Sequence, residues 1–168
     1  MFTTVCDFLM YWRYEAESTQ RMMDALTDES LQQAVTAQDR TLGRMAWHIV
    51  ATIPEMLERT GLSLEVNIDE STVPASARQI ADGYRQAAEA LAAAVERHWS
   101  DANLQEEKEL YPGERWTNGF TLGVLIRHQS HHRGQMTVLM RQAGLTVPGV
   151  YGPSREEWSG YGMEAPSV

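Results

Sequence analysis

The chain holds five histidines in 168 residues, and three of them sit in one short stretch, His128-Gln-Ser-His131-His132. Leu125, Met136 and Leu139 share a helical face with His128 and His132, so two imidazoles take positions where a core residue belongs. Residues four apart on a helix have Cβ atoms about 5–6 Å apart, close enough for two neutral imidazoles to converge on one divalent ion. The competing reading is a pair of core histidines with separate hydrogen-bond partners. Side by side, such a pair needs matched partners, and protonating both is costly, whereas a cation satisfies both as neutral ligands. Spacing alone leaves both readings open.

His48 lies on the shoulder of another apolar stripe, beside Met45 and Thr52. It completes a three-histidine set if its helix neighbours the one carrying His128, and is otherwise a half-buried histidine bonded to a backbone carbonyl or to Thr52. His131 points about 60° from His128 and about 100° from His132 on a 3.6-residue wheel, which makes it the weaker ligand. It suits packing, a hydrogen bond across the fold, or proton carriage beside the site. His98 ends a helical pattern and fits an interaction with that helix's last carbonyls.

No carboxylate pair, nucleophile triad or phosphate-cradling glycine loop occurs at convincing spacing, and Ser63 lacks the flanks of a nucleophile elbow. The catalytic residues are therefore unknown. Cys6 is the one cysteine, which rules out an intrachain disulfide and a cysteine-built zinc site. With 14 basic against 23 acidic residues and a net charge of −9, the chain is a poor partner for nucleic acid. Arg127, Arg133 and Arg141 read as a solvated helix edge. The N-terminal stretch lacks the pattern of a secretory signal and no apolar run is long enough for a bilayer, so a soluble cytoplasmic protein is expected.

Four helical patterns must position these residues. The first runs from about 4 to 26, through Val5, Leu9, Trp12, Ala16, Thr19, Met23 and Leu26. The second runs from Leu42 to a stop at Gly61, with Asp39 or Thr41 as N-cap and Pro54 as a possible kink. The third starts at a capping box, Ser76-Ala-Arg-Gln79, and ends near Trp99. The fourth spans roughly 120 to 143 and stops at Gly144. The polar stretch 62–75 reads as a connection across the bundle end. Residues 100–119, with Pro112-Gly113 and Asn118-Gly119, read as a loop with room for a short hairpin. The expected fold is all-α: one domain over 1–168, a four-helix bundle with crossover connections and an irregular tail from about 145.

The helix-four sequence His128-Gln-Ser-His131-His132-Arg133-Gly134-Gln135 resembles the His-x-x-His-His-Arg-Gly-Gln signature of DinB/YfiT-like metalloenzymes. The resemblance extends through Arg141-Gln-Ala-Gly144-Leu-Thr-Val-Pro148, Tyr151-Gly-Pro153 and the second-helix segment Leu42-Gly-Arg-Met-Ala-Trp-His48-Ile. It implies a metal triad of His48, His128 and His132 holding a divalent ion, nickel or zinc. Three neutral histidines leave a coordination position open to water or a substrate atom, the arrangement of a reactive site. The resemblance makes thiol S-transfer the leading reaction class, with a hydrolase or a non-catalytic metal-binding stress protein as alternatives. It also implies a small-molecule substrate, a low-molecular-weight thiol as partner, and a homodimer. His131, Arg127 and Arg133 are candidates for contacts behind the ligands or with substrate charge. Tyr11, Trp12, Trp47 and Trp116 are candidates for pocket walls, though aromatic residues at helical spacing usually form core.

Overall fold

Three of the four helices begin at a threonine whose hydroxyl accepts a first-turn amide, which satisfies a donor that the helix itself cannot. Thr4 accepts from Asp7 at the start of α1 (Val5–Asp24), Thr41 from Arg44 at α2 (Leu42–Arg59), and Thr117 from Phe120 at α4 (Asn118–Gln142). The fourth start differs from expectation. Ser76 makes no side-chain cap for α3 (Ala77–His98), and the Ala77 amide donates instead to the carboxylate of Asp28, far away in sequence. Asp39, the other candidate cap of α2, bonds Thr36. These elements come from a computed structural model that describes residues 2–167.

α2 runs through Pro54 to Arg59 as one helix, although Pro54 leaves the Val50 carbonyl without its helical donor. At the far end of α4, Gly144 takes a left-handed φ of 76°, which stops the helix where the sequence predicts. Between α3 and α4, β1 (Glu107–Tyr111) and β2 (Glu114–Thr117) pair antiparallel around Pro112-Gly113. Gly113 has a φ of 80°, the value that the third position of a type II turn requires.

α1 packs on α3 and α4, and α2 packs on the same two, so α1 and α2 stand at opposite corners of the bundle. At one end the Val5 amide donates to Asp101, Asn118 donates to the Asn103 carbonyl, and Arg59 reaches the Leu110 carbonyl. At the other, Ala77 meets Asp28, the Leu42 amide meets the Gln33 carbonyl, and Gln33 meets Gln142. Thus α1 and α4 run one way, while α2 and α3 run the other. Phe8, Trp12, Ile49, Ile53, Ile80, Tyr84, Leu91, Leu122 and Leu125 fill the space between them.

Parallel α2 and α3 dictate what lies between them. The link 60–76 must return the length of α2, about 27 Å at 1.5 Å per helical residue, which an extended chain of that many residues spans with slack. It therefore runs lengthwise rather than across the bundle end. The Trp47 indole donates to the Asp69 carbonyl at 2.8 Å, and Arg44 donates to the Glu70 carbonyl. Among the described residues no helix is long and apolar enough to cross a membrane.

Candidate metal centre

His48 stands in the second turn of α2, and His128 and His132 stand one turn apart in the middle of α4. Neighbouring core residues fix both backbones: Ile49, Val50 and Ile53 on α2, and Leu125, Met136 and Leu139 on α4, are all buried. Because α2 packs directly on α4, the three rings meet. Nε2 of His48 lies 3.2 Å from Nε2 of His128, which lies 3.1 Å from Nε2 of His132. One ligand atom from each residue falls within 4.8 Å of the others. Two nitrogens bound to one tetrahedral ion at 2.0–2.1 Å are about 3.3 Å apart, so the spacing suits a shared divalent cation.

The far sides of the rings say which nitrogen is free. His48 Nδ1 lies 3.3 Å from a carboxylate oxygen of Glu70, and His132 Nδ1 lies 2.7 Å from the amide oxygen of Gln135. Both partners are acceptors, so each Nδ1 carries the proton and each Nε2 turns a lone pair toward His128. A proton on His128 Nε2 can serve one of those lone pairs and leaves the other without a partner. A cation serves all three nitrogens at once, and the donor set fits one.

Burial holds the His128 imidazole well below its ordinary range, to about 4, with His132, His48, His131 and Arg40 adding repulsion in that order. Burial likewise lowers His132, against the opposing pull of its bond to Gln135. Both rings are therefore neutral near pH 7, the form that binds a cation. The sign of the linkage follows. Unfolded, His128 takes a proton near 6.5; folded, it does so only near 4, so the unfolded chain binds more protons between these values. The metal-free protein should have this contribution intact above about pH 6.5 and lose stability as pH falls toward about 4, where the loss levels off. Melting temperatures taken across that range should fall less steeply for His128→Gln than for the parent; parallel curves would contradict the assignment.

The other sequence candidates separate. His131 is exposed and outside the cluster, its ring centroid 4.9 Å from that of His132. Arg127 is exposed, with its guanidinium 5.4 Å from the centroid of Phe120. Arg133 is not the solvated edge that its place in the helix suggests. It is 2% exposed and paired with Glu15 of α1, and it also donates to Thr19, Ser130 and the hydroxyl of Tyr151. Tyr151 in turn donates to Glu15 at 2.9–3.0 Å, so this network ties α1, α4 and the tail together. Trp12 is core and donates to the Ala88 carbonyl, while Trp116 packs on Tyr111 and Phe120. Tyr11 is exposed beside Phe2, and His98 is exposed in the last turn of α3.

Sequence reasoning missed Glu70 and the role of Gln135. Gln135 had a signal, since it stands three residues from His132 on the same helix. Glu70 had none, because only the lengthwise return of 60–76 brings it to His48.

The sequence matches the DinB family over residues 1–165. It is 51% identical to the uncharacterized protein YrdA of Bacillus subtilis, across the full length of both chains. Its fold is similar to the crystal structure of a DinB-like protein from Bacillus cereus, with TM-score 0.86 and 52% identity over 90% of this chain and 100% of that one. A second DinB-like structure, YjoA of Bacillus subtilis, shares the fold at TM-score 0.67 but only 16% identity, over 86% of this chain and 96% of that one. Whole-length sequence match, shared bundle and a histidine cluster joining its second and fourth helices agree: the chain belongs to the DinB family.

Proposed function

We propose that this protein is a metal-dependent enzyme acting on a small molecule, with His48, His128 and His132 holding one nickel or zinc ion and thiol S-transfer as its reaction class. The observation that carries this reading is the composition of the cluster: among the described residues, three imidazoles from two helices form the group, with no Cys, Asp, Glu or further His in it. Three protein ligands leave room for a substrate atom, whereas a closed structural site uses four. A divalent ion held there would act as a Lewis acid toward a bound thiol and favour its thiolate.

The chain's own residues define the rest. His48 and His132 present Nε2 because Glu70 and Gln135 hold their other nitrogens. Cys6, the one cysteine, is no member of the cluster, so the reacting thiol would come from a separate low-molecular-weight molecule. The same reading takes the protein as a cytoplasmic homodimer. Support for the dimer is the family likeness and the alanine-rich α3.

The test is a transfer assay. Metal-loaded protein is offered a panel of low-molecular-weight thiols with electrophilic acceptors, beside His132→Ala at equal concentration. Thiol adducts formed by the parent and reduced at least about a hundredfold in the variant would support the reading, since a lost ligand weakens the hold on the ion and alters its coordination. No adduct with any pair, from protein carrying a full equivalent of metal, would leave a metal-binding protein without this activity.

A further inference from the structure

We propose that Glu70 is the positioning residue of the metal centre: its carboxylate fixes His48 from behind, and the return of 60–76 along α2 serves to deliver it. This rests on the metal reading above. Arg44, Trp47 and His48 stand at i, i+3 and i+4 on α2 and so form one stripe along the helix. All three grip the same two residues of the link. Trp47 donates to the Asp69 carbonyl, Arg44 to the Glu70 carbonyl, and His48 Nδ1 meets the Glu70 side chain. The two backbone bonds fix where the carboxylate starts, and its contact with the ring completes the placement. Asp69 also accepts from the amide and hydroxyl of Ser71, which holds the turn immediately after Glu70.

A carboxylate on Nδ1–H fixes the tautomer, holds the ring plane and makes Nε2 a stronger donor. His132 receives the first two of these from Gln135, a neutral amide on its own helix. His48 receives its partner from a separate segment that brings a negative charge. Stability of the bundle alone does not account for this contact. The Glu70 side chain is 51% exposed, and a hydrogen bond from a neutral imidazole to a carboxylate that water already solvates adds little to folding. The contact has most to do when the ring is a ligand.

Because the link and His48 share bonds, metal affinity and order in the link are coupled, and the coupling is reciprocal. Whatever factor Glu70 adds to metal binding, bound metal returns to the link.

The experiment measures zinc and nickel affinity by chelator competition near neutral pH, for the full chain and for E70A, E70Q and R44Q, with cobalt(II) absorption spectra and metal-free melting curves alongside. Glu70→Ala should weaken metal binding by about 10- to 100-fold while keeping about one equivalent of metal. Glu70→Gln, which keeps an acceptor for Nδ1–H, should recover a large part of that loss. Arg44→Gln should give a smaller loss in the same direction, and metal-free melting of E70A should match the parent. Hydrogen exchange at residues 69–71 should slow when the parent binds zinc and not when E70A does. The inference is overturned if the parent binds metal and E70A binds it within about twofold. It is also overturned if E70A and E70Q both change the cobalt spectrum as a lost ligand would, since Glu70 would then touch the ion. A parent that binds no metal would fail the metal reading itself, a result separable from either of these.

Discussion

Arg133→Met should cost the metal-free protein about 3–5 kcal/mol of stability, the usual result of removing one member of a buried ion pair. Glu15 is 2% exposed, so the variant strands a carboxylate among buried groups with the Tyr151 hydroxyl as its remaining donor. The Thr19 hydroxyl oxygen loses its donor as well, and the Glu15 carbonyl loses one of its donors but keeps that of Thr19. For a chain of this size the melting temperature should drop by roughly 6–20 °C. Pairing Arg133→Met with Glu15→Gln should recover part of the loss, because the stranded charge is gone; the two changes should therefore be strongly non-additive. Urea denaturation in the presence of chelator measures all four proteins. A loss below about 1 kcal/mol for Arg133→Met would mean that the pair is solvated in solution.

The second large effect is at the centre itself. His128 stands between the other two histidines, its Nε2 within 3.2 Å of both, and on the proposed reading all three hold the ion. Structural zinc sites with four ligands bind with about 10–16 kcal/mol in all, so one ligand is worth on the order of 3 kcal/mol. His128→Ala should then weaken metal binding on the order of a hundred- to a thousandfold. The fold should survive, because the ring is only partly buried and its removal takes away a group whose charged form burial disfavours. Chelator competition on parent and variant reads the affinity, and circular dichroism reads the fold. An unchanged affinity would place the ion elsewhere.

How far these features can be read from the chain depends on how local they are. His128 and His132 stand out because four residues on a helix is one turn, and the apolar residues beside them fix the face. The helix ends at Thr41 and Gly144 are legible for the same reason: each is set by residues within a turn. His48 is readable as a ligand only if α2 touches α4, and periodicity within one helix carries no information about which helix is its neighbour. The resemblance to the family supplied that adjacency, and the packing of α2 on α4 bears it out.

What was not legible came from distant partners. Ser76 has the sequence of a capping box, yet Asp28 caps α3, because the end of the bundle brings them together. Arg133 looks like one of a row of surface arginines until Glu15 and Tyr151 surround it from two other segments. Stretch 62–75 has the composition of a surface connection in either geometry. Only the parallel course of α2 and α3 makes it run lengthwise, and only that course brings Glu70 to His48.

The central claim is that three Nε2 atoms hold one ion. The measurement that tests it most directly is diffraction from metal-loaded crystals at the absorption edge of the metal found in the protein by elemental analysis. The account predicts one anomalous peak per chain, about 2.0–2.2 Å from Nε2 of His48, His128 and His132 together, with about one equivalent of metal in solution. A metal-loaded protein with its peak elsewhere, or with one of the three rings turned away from it, would contradict the account.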